Sequence, residues 1–212
     1  MRQHFIVEGK DYFAIGDLCK LHFPIPKGFS EKNQKEFLKG GKGFEETVID
    51  FVNIFDSPNL TNIALIVDAD YKGVEKRLKF ILTALSVKLE SDFSVIPLSI
   101  GGVNFEHEGI KIGIWIMPNN ADNGYLEHFI EQLIEQDDWV LNEAKQKVDD
   151  LLTKEHCRFT DIKKQKAIIY SWLAWQESPG LPFGTAMKAK SLNAHADSAQ
   201  PFLNWIKNTF EF

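Results

Sequence analysis

The sequence predicts an α/β protein: a mostly parallel sheet of about four strands, then a helical C-terminal extension. Three observations carry this. Short apolar runs alternate with stretches of helical period through residues 1–135. One of those runs, Ile63 to Val67, is apolar throughout, as a strand covered on both faces requires. From about Trp139 onward the strand signal disappears while the helical period persists.

The expected strands are "HFIV" (His4 to Val7), "IALIV" (Ile63 to Val67), "FSVIPL" (Phe93 to Leu98) and "IKIGIWIM" (Ile110 to Met117). In the last, Ile110, Ile112, Ile114 and Ile116 alternate with Lys111, Gly113 and Trp115, which predicts an edge strand with one exposed face, open to pairing in a homodimer. Helical stripes lie between: Phe44, Val48, Phe51, Val52 and Phe55; Val74, Leu78, Ile81, Leu82 and Leu85, with Asp70 as the expected N-cap; and Leu126, Phe129, Ile130, Leu133 and Ile134. "WVLNEAKQKVDDLL", "DIKKQKAIIYSWLAWQ" and "PFLNWIKNTF" read as amphipathic helices, broken by the turn-rich "ESPGLPFG". The expected layout is an α/β unit over 1–135, with a Lys/Gly-rich insert at about 24–43, and helices over 136–212 packed onto it.

A chain of 212 residues can bury one good core, or one core with a small appended subdomain. Its 44% hydrophobic and 25% charged residues are ordinary for a globular protein. No apolar run has the length of a membrane span, and "MRQHFIVEGKD" reaches an acid too early for a secretory leader, so no membrane partner is expected. The two cysteines, Cys19 and Cys157, cannot make a disulfide framework, and a cytoplasmic setting is the expectation. Net charge of −6 disfavours an indiscriminate polyanion binder. Any nucleic-acid partner would have to be reached through metal ions and local lysines.

Acids sit where the strands end. The first strand runs into Glu8, the second into Asp68 and Asp70; after the alternating one come Asp122 and, in the next helix, Glu127. Ligands of parallel α/β sheets bind at these carboxyl ends. Residues i and i+2 of an extended segment face one side, so Asp68 and Asp70 are expected to reach one spot. Clustered carboxylates repel unless a cation lies between them, and Mg²⁺ (or Mn²⁺) takes such oxygen ligands. Taken singly, these acids have blander roles: a lone D-x-D is often a cap or a turn, and Asp11 is expected to be a cap.

The pattern resembles the Toprim domain of topoisomerases, bacterial primases and nucleases of the overcoming-lysogenisation-defect type. "IVEGKD" (Val7, Glu8, Gly9, Asp11) and "VDADYKG" (Asp68, Asp70, Gly73) stand in the order of that family's signatures, each after an apolar strand. "WIMPNNADNGYLEHFI", "FGTAMKAK" and "PFLNWIKNTF" are similar to a stand-alone bacterial Toprim-like group. The resemblance implies a three-layer domain over about 1–135 and Mg²⁺-dependent phosphodiester cleavage. It implies Glu8 as acid/base or ligand, Asp68 and Asp70 as ligands, Glu127 for a second ion, and Asp122 as a further candidate. It also implies a lysine from the tail, for which Lys166 is the candidate. Phosphate or nucleic-acid contacts are expected from Gly9, Lys10 and Gly73 beside the acids.

The insert "KGFSEKNQKEFLKGGKG" carries Lys27, Lys32, Lys35, Lys39 and Lys42, of which Lys39 and Lys42 are candidate phosphate contacts against a plain reading as a solvated loop. Trp172, Trp175 and Trp205 are expected in the core, and His128 and His156 lack zinc spacing. The alternatives are a non-enzymatic nucleotide- or protein-binding module on the same scaffold, and a glycosyltransferase-like D-x-D that would make no use of Glu8.

Overall fold

The computed structural model describes residues 2–9, 11–23, 38–39 and 42–211. Strands β1 (Arg2–Val7), β2 (Leu38–Lys39), β3 (Leu60–Asp68), β4 (Val103–His107) and β5 (Ile110–Met117) form one open sheet in the order β2-β1-β3-β5-β4. The pairs β1–β2, β1–β3 and β3–β5 are parallel, and β4 runs antiparallel to β5. With β2 only two residues long, the sheet is in substance four-stranded, and it is mixed where a mostly parallel one was expected.

The antiparallel edge has a local cause. His107 pairs with Ile110 across Glu108 and Gly109, whose φ values of 49° and 78° suit a tight hairpin turn. The expected strand at Phe93 to Leu98 is instead irregular: Phe93 is buried, but Val95 and Leu98 are exposed and Pro97 has no N–H to give to a ladder. Because β4 takes the edge, β5 is interior, which corrects the expectation that it could pair with a second copy.

Eight α-helices lie among the described residues: α1 (Tyr12–His22), α2 (Phe44–Asn53), α3 (Val74–Leu89), α4 (Leu126–Glu131), α5 (Trp139–Leu152), α6 (Lys164–Ala174), α7 (Phe183–Lys188) and α8 (Gln200–Phe210). None is long and apolar enough to cross a membrane. Each sheet face is buried. Ile6, Ile63, Leu65, Val67, Ile112, Ile114 and Ile116 pack with Phe51 of α2 and with Leu78, Ile81 and Leu85 of α3. The opposite face, with Phe5, Val7, Ala64, Ile66, Trp115 and Met117, packs against α1 and the residues of α4 to α8.

Residues after 135 therefore share the core with the strands. Trp172 and Trp205 are buried in it, as expected, whereas Trp175 is half exposed. Helix α8 approaches the sheet closely enough to require glycine at 113, where a Cβ would stand 2.4 Å from Thr209 Oγ1. Two buried hydrogen bonds hold it there: Asn62 Nδ2 donates to the Thr209 carbonyl at 2.8 Å, and Trp205 Nε1 to the Val103 carbonyl at 3.1 Å.

Candidate functional site

The parallel register of β1 and β3 pairs Val7 with Ile66, so Glu8 leaves β1 level with Val67, one residue before Asp68 at the end of β3. Glu8 N–H donates to the Ile66 carbonyl at 2.9 Å, and the Asp68 N–H donates to Glu8 Oε2 at 3.0 Å. Asp68 Oδ1 in turn accepts from the Leu126 N–H, at the start of α4, at 3.2 Å. One carboxylate thus ties β1 to β3 and the other ties β3 to α4. Each has a second oxygen outside these bonds.

Two further acids close on Asp68 from the α1 side. Asp11 occupies the N-cap position of α1, yet its side chain makes no capping hydrogen bond. It instead lines a narrow recess with Glu8, Ile15, Asp68, Met117 and Leu126. Glu127, in the first turn of α4, is 6% exposed and pairs with Lys166 of α6 at 3.3 Å. The tail lysine expected at the acids is therefore beside them, carried by a helix from the C-terminal part of the chain.

Asp70 takes another course. Its φ of 51° turns the backbone left-handed, and its N–H and carbonyl bridge to Gly124. The strand thus ends before position 70, and the i, i+2 rule that would aim Asp70 beside Asp68 does not apply. Nor does Asp70 cap α3, whose N-cap is Gly73 at φ 88°. Its Oδ2 accepts from Arg77 Nη2 at 2.5 Å. Arg77 is 5% exposed, and its guanidinium carbon lies 3.8 Å from the centre of the Phe44 ring.

Burial and mutual repulsion set the electrostatics. Asp68 is held well above the ordinary carboxylate range by desolvation, then by the charges of Asp11, Glu8, Asp70 and Glu127. Asp11 rises to about 7, again by burial first and by Glu127 next, with Lys166 opposing. Glu8 is raised by burial, against the Asp68 N–H and the Arg77 charge. Burial works against the Lys166 ammonium, but the Glu127 carboxylate outweighs it and leaves that lysine above its usual value.

Other expected positions divide. Asp122 is exposed and accepts from Asn119 Nδ2 at 2.8 Å, within its own turn and away from the recess. Lys42 pairs with Asp50 at 2.9 Å in solvent, while its carbonyl accepts from the Gly9 N–H. Gly9, at φ 65°, has open space where a Cβ would stand, whereas a Cβ at Gly73 would stand 3.2 Å from Asn123 Oδ1. Lys39 lies in β2; Lys10, Lys27, Lys32 and Lys35 lie outside the described residues. Arg77 is the site residue the sequence did not single out, and Asp11 was expected only as a cap. The available signals were "VEGKD", read as a cap, and an arginine seven residues after Asp70 on a helix with a wet face.

The donor set is all oxygen, which suits Mg²⁺ or Mn²⁺. Among the described residues Glu8, Asp11 and Asp68 have no bonded cation, so a divalent ion would offset the burial, and after it the mutual repulsion, that raise their pKa values. No three His, Cys, Asp or Glu side chains of the described residues converge on one metal-sized point. The recess is too narrow for a water-sized sphere, so a hydrated ion enters only as the carboxylates part.

Neither the curated proteins nor the solved structures include a match to this chain. The profile described as "Protein of unknown function (DUF3226)" matches residues 2–211. With the match running from β1 through α8 and taking in every acid of the recess, the chain belongs to the DUF3226 family.

Proposed function

We propose that this chain is a Mg²⁺- or Mn²⁺-dependent nuclease of Toprim type, cleaving phosphodiesters in a three-layer α/β domain. The single observation that supports this most is the contact between Glu8 and Asp68, two part-buried acids from separate strand ends, with Glu127 and Lys166 alongside. A structural ion pair would bring equal and opposite charges together; here the carboxylates of Glu8, Asp11, Asp68, Asp70 and Glu127 outnumber the Arg77 and Lys166 cations among the described residues.

In this assignment Asp68 and Glu8 would hold the ion, and Glu127 would serve a second. When bound, such ions lower the pKa of water and neutralise charge on the phosphoryl oxygens. Glu8, its carboxyl raised by burial, is the candidate for acid/base work. Lys166, cationic and half exposed, is suited to meeting the charge that builds on a phosphate.

One observation favours a non-enzymatic binding module instead: Glu8 and Asp68 already accept hydrogen bonds from main-chain N–H groups that fasten the sheet's rim. The test separates the two. Purified protein is incubated with single- and double-stranded DNA and RNA, with Mg²⁺, Mn²⁺ or EDTA, beside Glu8→Gln and Asp68→Asn. Metal-dependent cleavage lost in both variants is the expected result. Cleavage surviving Asp68→Asn, or none with any substrate, would overturn the enzyme assignment.

A further inference from the structure

We infer that Asp70 is not a metal ligand but the fixed counter-ion of Arg77, and that Arg77 is a positioning residue which holds Asp70 away from the ion. This rests on the metal-site assignment above, and departs from what the Toprim resemblance implies for the second acid of D-x-D.

Asp70 is held by its backbone and by one carboxylate oxygen. Its backbone is pinned on both sides by the bridge to Gly124, with N–H to carbonyl distances of 2.7 and 3.2 Å. Its carboxylate is bonded to a guanidinium at 2.5 Å, on the α3 side of the sheet. Asp11, Glu127 and Lys166 belong to elements on the opposite side, and the recess that Asp11 lines with Asp68 and Glu8 does not include Asp70.

Arg77 is held as well. A buried guanidinium is retained only where its charge is met, because removing its partner leaves an uncompensated charge out of water. Here Phe44 covers its face and Asp70 takes one edge, while Nε is buried with no hydrogen-bond partner. With one donor unsatisfied, Arg77 depends on Asp70 for much of its stabilisation. A divalent ion would have to break that bond to recruit Asp70, leaving the arginine buried and unpaired beside a second cation. The cheaper route leaves the pair intact and uses Asp68, Glu8 and the acids facing them.

The two assignments give opposite results in a double-mutant cycle on Mg²⁺ binding, read as the midpoint of Mg²⁺-dependent thermal stabilisation and by calorimetric titration, without any substrate. Asp70→Asn strands the Arg77 charge near the ion and is expected to weaken Mg²⁺ binding on the order of tenfold or more. Asp70→Asn with Arg77→Met removes the pair together and is expected to restore the midpoint to within about threefold of wild type. Asp68→Asn abolishes the response in either background. A double variant as weak as Asp70→Asn alone makes Asp70 a ligand and overturns the inference. Should Arg77→Met not fold, Arg77→Lys, which keeps the charge, is paired with Asp70→Asn instead. There Mg²⁺ binding must stay weak, and recovery overturns the inference. A wild type with no response to Mg²⁺ or Mn²⁺ overturns the metal site and this assignment with it.

Discussion

Replacing Asp11 by asparagine should stabilise the metal-free protein in alkali and do little in acid. Asp11 rises from 3.8 to about 7 because burial and Glu127 disfavour its charged form. A carboxyl whose folded pKa lies above its unfolded one is favoured in the fold as the acid. Its contribution is therefore full below about pH 4 and is lost as pH climbs through 7. A difference of that size corresponds to about 4 kcal/mol at pH 8, of which asparagine, never ionising, should keep about 3 after its poorer fit. In a chain of this length 1 kcal/mol moves the melting temperature by about 2–4 °C, so Asp11→Asn in EDTA should melt about 10 °C above wild type at pH 8. The gap should close by about pH 4. Thermal unfolding followed by circular dichroism from pH 4 to 8 measures it. Saturating Mg²⁺ should shrink or invert the gap, since an ion at a hundred times its Kd adds about 2.7 kcal/mol to the protein that binds it. A pH-independent gap, or an Asp11→Asn protein less stable than wild type at pH 8 in EDTA, would refute the placement of that carboxylate among the others.

Removing Lys166 as methionine leaves Glu127 buried without its cation and should cost about 3 kcal/mol in urea unfolding at pH 8. Gly113→Ala drives a Cβ against Thr209 and should destabilise by about 1–3 kcal/mol, partly relieved by Thr209→Ala in the same chain. Asp138 caps α5 at the Leu141 N–H and also accepts from Trp172 Nε1; Asp138→Ala should cost about 2 kcal/mol, with a shift in tryptophan fluorescence. Asp122→Asn, altering an exposed turn, should leave the Mg²⁺ midpoint of the protein unchanged.

What the sequence made legible were strands with unbroken apolar character and helices with clean stripes. β3 and α3 are where their patterns put them, and α5 spans the very residues quoted for it. α1 was hidden because "YFAIGDLCKLH" is apolar on much of its circumference and opens on an acid that does not cap. β4 was hidden because "VNFEH" is short and polar, while the more hydrophobic "FSVIPL" nearby is loop whose Val95 and Leu98 stay exposed. At the site, strand-end position was enough for Glu8 and Asp68. It failed for Asp70, since the backbone turns left-handed there, a choice fixed by the distant Gly124 and not by local residue type. Asp11, Arg77 and the Glu127–Lys166 pair depend on which helices meet at the rim, and no local pattern encodes that.

The fastening of α8 has a consequence for how the protein is made. Asn62 of β3, the strand paired with both β1 and β5, waits for the carbonyl of Thr209, and Val103 at the edge waits for Trp205. During synthesis the sheet residues leave the ribosome long before those partners exist, with one face and its buried asparagine open to water or to other chains. A ribosome that stalls, or a stop codon, anywhere before position 200 would release a chain whose central strand has lost its cover. Such a product should be a ready substrate for chaperones and proteases.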